Sequence, residues 1–256
     1  MKDFTHQIYQ ELLEAFLKKG FAFVKVSDYF RKSYDDTKPF VLMRHDVDRY
    51  PERSLAMAKL EHSLGVEATY YFRTIPQTFK KDIIEEIAFL GHEIAYHYES
   101  LAQTNGDYEE AIEDFKENLE RLRELYPITS IAMHGRPTSK WDSRLLWNRY
   151  DYKEFGITSE PYFDIDFNEV LYATDASRAW NNEAINLRDR VDSNLEYSFS
   201  HTKELIELIE DDILPKKIML NIHPEHWAQS SSEWLNILLV RKVKNIVKKG
   251  LIKRNM

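Results

Sequence analysis

Short apolar runs alternate with longer amphipathic segments along most of the chain. The longer segments carry apolar residues three and four positions apart and predict helices, most clearly at 51–64, 81–90, 107–125, 203–209 and 233–249. The apolar runs are typical of buried strands and stand at 39–43, 69–72, 93–98, 130–133, 170–174 and 217–222. This alternation predicts an α/β fold in which helices cover parallel strands, as either a barrel or an open sheet.

The N-terminal region follows the same pattern on a smaller scale. Ile8, Leu12, Leu13 and Phe16 lie on one face of a predicted helix, and a short strand is expected at 21–26. Weaker patterns predict a helix at 141–150 and a short strand at 157–158. No Gly/Ser linker or internal repeat divides the 256 residues. We therefore expect a single domain, 1–256, with 1–38 as an N-terminal helical extension.

Composition and charge exclude several kinds of protein. The chain contains no Cys, which excludes disulfides, thiolate nucleophiles and Cys-based zinc sites. The net charge of -8 is a poor match to a phosphate backbone, so a nucleic-acid partner is not expected. No run of about 18 apolar residues predicts a membrane span. The first residues contain acids and no apolar stretch typical of a signal peptide, which favours a cytoplasmic location.

Polar side chains that carry chemistry collect where the predicted strands end. Because the active sites of parallel α/β folds form at the C-terminal ends of their strands, these residues are the first candidates for a site. They are His45, Asp46, Asp48, His97, His134 and His223.

Asp46 and Asp48 form the first candidate group. Side chains two positions apart on an extended segment share a face, and the repulsion between two such carboxylates is relieved when a cation or proton lies between them. One carboxylate is then available to bind a metal and the other to accept a proton from water. The alternative is a solvated acidic cluster that caps the helix beginning near Pro51. The buried strand before these residues and the neighbouring His45 favour the functional interpretation.

Histidines at three other strand ends extend this group. His97 shares a strand face with Glu99, and neutral imidazole is the commonest metal ligand. His134 could complete a metal site while Arg136 holds an acid or a substrate anion, although a turn built by Gly135 and Pro137 explains the same segment. A His at position 223 is suited to protonating a leaving amine.

Four segments together resemble the polysaccharide deacetylase, or NodB-homology, superfamily. The strand that ends in His-Asp-Val-Asp at 45–48, followed by a helix and 65–72, resembles the first motif and second strand of the family. Gly-His-Glu-Ile-Ala-Tyr-His at 91–97 resembles its second motif. His-Gly-Arg-Pro at 134–137 stands where the family has an Arg-Pro motif, and Leu-Asn-Ile-His at 220–223 resembles its final motif. The resemblance covers roughly 41–222.

The resemblance implies a distorted (β/α) barrel of about seven parallel strands and a divalent metal ion, with zinc the first expectation. It implies that Asp46 is the catalytic base, that Asp48 and His97 bind the metal, and that His223 is the acid. The sequence departs from the family at Leu101, where a second ligand His is usual. His134 is our first choice for the missing ligand, followed by Glu99 and His92.

The function implied is a hydrolase acting on a carbon–nitrogen bond, which removes an N-acetyl group from an amino sugar or a sugar-linked precursor in surface-polysaccharide metabolism. Two alternatives remain open. One is a small-molecule amidohydrolase or deformylase on the same scaffold, and the other is a metal-free protein that only binds carbohydrate.

Overall fold

A single parallel sheet organises the protein. The computed structural model describes residues 2–136, 139–180, 189–195 and 197–240. Its seven strands are β1 (Ala22–Val24), β2 (Phe40–Val47), β3 (Thr69–Phe72), β4 (Glu93–Tyr98), β5 (Ile131–Met133), β6 (Leu171–Thr174) and β7 (Lys217–Ile222). Their order is β5-β4-β3-β2-β7-β6, and every pairing is parallel.

The prediction of a distorted barrel with about seven parallel strands is confirmed. β2 is central, because β7 pairs with one of its edges while β1 and then β3 share the other. Within the described residues no ladder joins β5 to β6, so the curled sheet is an incomplete barrel.

Helices connect the strands as the alternation predicts. They are α1 (His6–Lys18), α2 (Val26–Arg31), α3 (Pro51–Ser63), α4 (Lys81–Phe89), α5 (Ser100–Gln103), α6 (Tyr108–Arg123), α7 (Pro161–Asp164) and α8 (Thr202–Glu210). Residues 231–240 are also helical, and the rest of the closing helix predicted at 233–249 lies outside the described residues. None of the helices in the described ranges is long and apolar enough to cross a bilayer.

Two weak secondary-structure predictions differ from the structure. The helix expected at 141–150 is a shorter 3-10 helix, Ser143–Asn148. The strand expected at 157–158 is replaced by a single bridge between Ser130 and Ser159. Ser159 lies next to the start of β5, at the open edge of the sheet, whereas Ser143–Asn148 packs against α5 and α6.

The N-terminal residues are integrated into the domain. Tyr9, Leu12, Leu13 and Phe16 of α1 are fully buried in the main hydrophobic core. β1 pairs with β2, from Ala22 opposite Phe40 to Val24 opposite Leu42. The segment expected as a helical extension at 1–38 therefore supplies a strand to the sheet as well as two helices.

β2 separates two buried polar networks. All eight of its residues are buried, and alternate side chains point to opposite faces. His45 points towards α1 and α3, where its Nε2 lies 2.6 Å from Oε1 of Glu61. Glu61 also accepts hydrogen bonds from the hydroxyls of Tyr9 and Tyr70. One buried carboxylate thus ties together α1, α3, β2 and β3.

We expect Glu61→Ala to lower the free energy of unfolding by at least about 3 kcal/mol, because three buried donors lose their acceptor at once. Urea unfolding followed by far-UV circular dichroism measures this change. Glu85→Ala, at an exposed position of α4, is the control and should change stability little. Equal losses in the two variants would contradict a structural role for the Glu61 network.

Candidate metal centre and active site

The C-terminal ends of β2, β4, β5 and β7 bring the predicted site residues together. Asp46 is the penultimate residue of β2 and Asp48 follows its end. His97 lies near the end of β4, while His134 and His223 follow β5 and β7 directly. Since β4 and β7 lie on either side of the central β2–β3 pair, parallel pairing aligns these strand ends along one rim.

Of the three predicted metal ligands, the two histidines both face one carboxylate oxygen of the third, Asp48. Nε2 of His97 and Nε2 of His134 each lie 3.4 Å from Oδ1 of Asp48. That Oδ1 is buried and has no hydrogen bond of acceptable geometry. A buried carboxylate oxygen without a hydrogen bond is costly unless a cation neutralises it.

The other ring nitrogens of both histidines have partners that can only accept hydrogen bonds. Nδ1 of His97 donates to the carbonyl oxygen of Ala132, at 2.9 Å. Nδ1 of His134 donates to Oε2 of Glu99, at 3.0 Å. Each Nε2 is therefore the atom at which a proton or a metal ion can sit. Two imidazoles and one carboxylate are a donor set that suits zinc and other first-row metals.

Without a cation, the electrostatic field at this group favours a proton. Burial opposes the charged imidazolium, but the carboxylates of Asp48 and Glu99 outweigh it and raise the pKa of His134 to about 9. Burial also opposes ionisation of Asp48, yet His134 and His97 hold the pKa of its carboxyl well below the usual value. A metal ion bound here would take the place of that proton.

The alternatives for the missing ligand occupy different places. Glu99 stands behind His134, and its other carboxylate oxygen accepts hydrogen bonds from Nε of Arg73, at 2.9 Å, and from Nη2. His92 is remote from the group, because Nε2 donates to the carbonyl of Ala58 and Nδ1 accepts from the amide of Ala68. Leu101 is fully buried in the main core.

Asp46 is held by its own strand. Nε and Nη2 of Arg44 donate to its two oxygens at 2.7 and 2.9 Å, and Nδ2 of Asn221 adds a third hydrogen bond at 3.1 Å. Arg44 has no exposed surface, and its guanidinium lies between the rings of Tyr71 and Tyr162. Burial acts to raise the pKa of the Asp46 carboxyl, but Arg44, His97 and His223 together outweigh it and the pKa is lowered.

Arg136 is not among these contacts. Its side chain is exposed, and the two residues that follow it, 137 and 138, lie outside the described part of the chain. The sequence prediction assigned Arg136 to hold an acid or a substrate anion. In the structure, the guanidinium that donates hydrogen bonds to Asp46 belongs to Arg44.

His223 completes the group from β7. Its Nδ1 donates to Oδ1 of Asp175 at 2.7 Å, and its backbone amide donates to the same oxygen at 2.9 Å. Its Nε2 lies 3.9 Å from Oδ2 of Asp46. Although burial disfavours the charged ring, the Asp175 carboxylate raises the pKa of His223 to about 10. The imidazole is therefore protonated at neutral pH and can donate a proton.

A second group of possible metal ligands lies beside it, formed by Asp175, His223 and His226. The carboxylate of Asp175 already accepts from His223 and, at its other oxygen, from Nε1 of Trp227 at 2.7 Å. Nδ1 of His226 donates to the backbone carbonyl of Asp175. These hydrogen bonds satisfy the carboxylate without an ion, which favours an orienting role for Asp175.

The sequence prediction missed Arg44, Glu99 as a partner of His134, and Asp175. Two of them carried a signal. Arg44 precedes Asp46 by two positions on an extended segment, so both share a face. Asp175 directly follows a strand that was predicted to end at 174, which is the same criterion that singled out the histidines.

Comparisons with known proteins find similarity in structure. No protein-family model matches the chain, and no curated protein matches it. A CE4 esterase from Streptococcus mutans aligns with 13% identity and a TM-score of 0.47, over 88% of this chain and 87% of that one. A family 4 carbohydrate esterase from Bacillus anthracis aligns with 13% identity and a TM-score of 0.41, over 90% and 86%.

We expect Asp175→Asn to lower the pKa of His223 towards its usual value, because the neutral amide no longer favours the charged ring. A titration of the His223 ring by NMR, assigned with His223→Asn, measures the shift. The raised pKa stabilises the fold fully below about pH 6.5 and is lost as pH rises towards about 10. Asp175→Asn should therefore cost more stability near pH 6 than near pH 9.

The exposed Asp36→Asn is the matched control. An unchanged pKa of His223 in Asp175→Asn, or the same cost at both pH values, would show that the Asp175–His223 pair does not set the charge of this ring.

Proposed function

We propose that the protein is a metal-dependent hydrolase that removes an N-acetyl group from an amino sugar or a sugar-linked precursor by cutting the amide carbon–nitrogen bond. One observation carries the proposal. Two imidazole Nε2 atoms converge on the same hydrogen-bond-free carboxylate oxygen at 3.4 Å. A separately held carboxylate, Asp46, and a charged imidazole, His223, lie next to them.

Asp48, His97 and His134 would hold the metal ion, and their mixed nitrogen and oxygen donors favour zinc. When bound, such an ion supplies a water of lowered pKa and polarises the carbonyl of the substrate. Glu99 would orient His134, and the carbonyl of Ala132 would orient His97, as outer partners do for most metal-binding histidines.

Asp46 is suited to accept a proton from water. Both of its oxygens accept hydrogen bonds, Oδ1 from Arg44 and Oδ2 from Arg44 and Asn221, and Oδ2 also lies 3.6 Å from Nε2 of His97 and 3.9 Å from Nε2 of His223. Oδ2 therefore faces the space between the metal ligands and the proton donor. Arg44 and Asn221 fix the carboxylate so that it need not reorganise during proton transfer.

His223 is suited to give a proton to the departing nitrogen. Asp175 holds Nδ1, which leaves the proton on Nε2 directed at the same space as Asp46. Amide hydrolysis requires both a base and an acid near the reacting carbon, because water must lose a proton and the amine must gain one.

A polar cavity lined by one of the proposed ligands, His97, is compatible with a hydroxyl-rich substrate. It measures about 300 Å³, at the small end of the range of about 300–1,000 Å³ typical of small-molecule sites. His97 and Glu99 line it, and α6 contributes Asp114, Asn118 and Arg121. Hydrogen-bonding groups dominate these walls, which suits a sugar better than an apolar amide.

Removing a ligand should weaken zinc binding. We expect His134→Ala to lower zinc affinity by more than the roughly 10–100-fold typical of losing an outer partner. His226→Ala, a histidine of the second group, should leave the affinity unchanged. Competition with a chelating dye on metal-stripped protein measures both. A large loss in His226→Ala with none in His134→Ala would move the metal to the Asp175 group.

Asp46→Asn and His223→Ala should each reduce turnover by about 10²–10⁴-fold, the range for loss of a general base or acid. Acetate release from N-acetylglucosamine oligomers by the zinc-loaded protein measures turnover, and zinc content serves as the control because neither residue is a proposed ligand. Undiminished turnover in both variants would refute these roles. Release of formate or ammonia from simple amides, without acetate from the sugars, would favour the small-molecule alternative.

A further inference from the structure

Tyr50 is an exposed aromatic residue at the rim of the candidate site. It follows Asp48 by two residues, so the Cα atoms of the two residues are at most about 7 Å apart. Tyr50 is 54% exposed, although most of the aromatic residues around it are buried. The fold therefore places a large ring next to a proposed metal ligand and leaves more than half of it in solvent.

Arg53 connects Tyr50 to the segment that follows His223. Cζ of Arg53 lies 4.7 Å from the centre of the Tyr50 ring, and Nη1 donates to the carbonyl oxygen of Glu225 at 2.7 Å. Glu225 follows His223 by two residues. Nε of Arg53 also pairs with Glu233 at 2.6 Å, which fixes the guanidinium. The Tyr50 ring therefore stands between the end of β2 and the segment after β7.

The backbone of Tyr50 is held in an unfavourable conformation. Its φ of 53° and ψ of 64° are left-handed, a region that bulky side chains rarely adopt. Tyr50 also precedes Pro51, and a proline favours an extended conformation of the residue before it. Backbone strain of this kind collects at functional sites, where the surrounding structure maintains it.

Packing does not account for a tyrosine in this conformation. Phe4, the other aromatic residue with a positive φ in the described part of the chain, is 6% exposed and packs on Trp180 and Trp227. The Tyr50 ring instead packs on the guanidinium of Arg53, and such a contact at an exposed site contributes no more than the strain costs. A Gly would adopt the same backbone without strain. The ring is therefore a candidate for binding a ligand.

We propose that the ring of Tyr50 is a platform on which a pyranose ring of the substrate stacks, beside the amide that is cut. One face of a pyranose presents mainly C–H groups, which leave water when they pack on an aromatic ring while the hydroxyls stay solvated. Arg53 holds the tyrosine ring from one side, so little conformational entropy is lost when a sugar binds the other. This inference rests on the proposed function for the class of substrate and adds the residue that positions it.

Binding of sugar oligomers to the full chain tests the platform. Calorimetric titration with N-acetylglucosamine oligomers is performed in the His223→Ala background, so that turnover does not consume the ligand. Adding Tyr50→Ala should raise the dissociation constant by about tenfold or more, because the aromatic surface is lost. Tyr50→Phe and Tyr50→Trp keep a ring and should bind about as tightly as the parent. Phe89→Ala, the matched control, removes an aromatic side chain that is 90% exposed at the end of α4 and should leave binding unchanged.

A stability measurement separates sugar binding from folding. At a left-handed position Gly is unstrained and Ala is strained. Tyr50→Gly should therefore unfold at a higher urea concentration than Tyr50→Ala, and at one no lower than the unaltered protein, although both variants lose sugar binding. A urea midpoint of Tyr50→Gly clearly below that of the unaltered protein would assign the ring to fold stability and overturn the proposal.

Acetate release distinguishes this inference from the hydrolase proposal. Sugar binding that depends on Tyr50, without acetate release by the zinc-loaded unaltered protein, would support the platform and refute the hydrolase. Acetate release with the same KM in Tyr50→Ala as in the unaltered protein would refute the platform alone. The platform is also overturned if the oligomers do not bind, or if Tyr50→Phe or Phe89→Ala loses as much binding as Tyr50→Ala.

Discussion

Each carboxylate buried at the rim of the sheet must be neutralised, and how this is done decides the character of the site. Asp46 is paired with Arg44, Glu99 with Arg73 and His134, and Asp175 with His223. Asp48 differs, because its Oδ1 faces two imidazole nitrogens without a hydrogen bond. Asp48 is compensated only by imidazoles, which can exchange a proton for a metal ion, and this is where we propose that the cation is held.

Three histidines use the same device for different chemistry. In His97, His134 and His223 the Nδ1 atom donates to an oxygen that belongs to the second layer of the site, so each Nε2 points into the shared space. What differs is what Nε2 faces. His97 and His134 face Asp48 at 3.4 Å, whereas Nε2 of His223 lies 3.9 Å from Oδ2 of Asp46 and is the proposed proton donor. Because Nδ1 of each ring already donates a hydrogen bond, Nε2 is the nitrogen that is available to bind a metal or carry a proton.

The central strand β2 supports this arrangement from its opposite face. Arg44 and Asp46 point to the site, while His45, between them, points to Glu61 and the hydroxyls that surround it. The strand cannot slip by one residue without exchanging the two networks, so the polar contacts on both faces specify its register. Stability on one face and the fixed position of the Asp46 carboxylate on the other therefore depend on the same few residues of β2.

The amino-acid sequence by itself determined the alternation of strands and helices, the parallel sheet, and the five residues Asp46, Asp48, His97, His134 and His223, because periodicity and the position of polar residues at strand ends are local properties of a chain. It did not determine which guanidinium holds Asp46, or that Glu99 stands behind His134 and Asp175 behind His223. Arg136 and Arg44 both lie near a strand end, and only the burial of Arg44 inside the sheet makes it the partner. Those pairings join residues from different strands, so their distances are decided by how the strands pack, which no local pattern encodes.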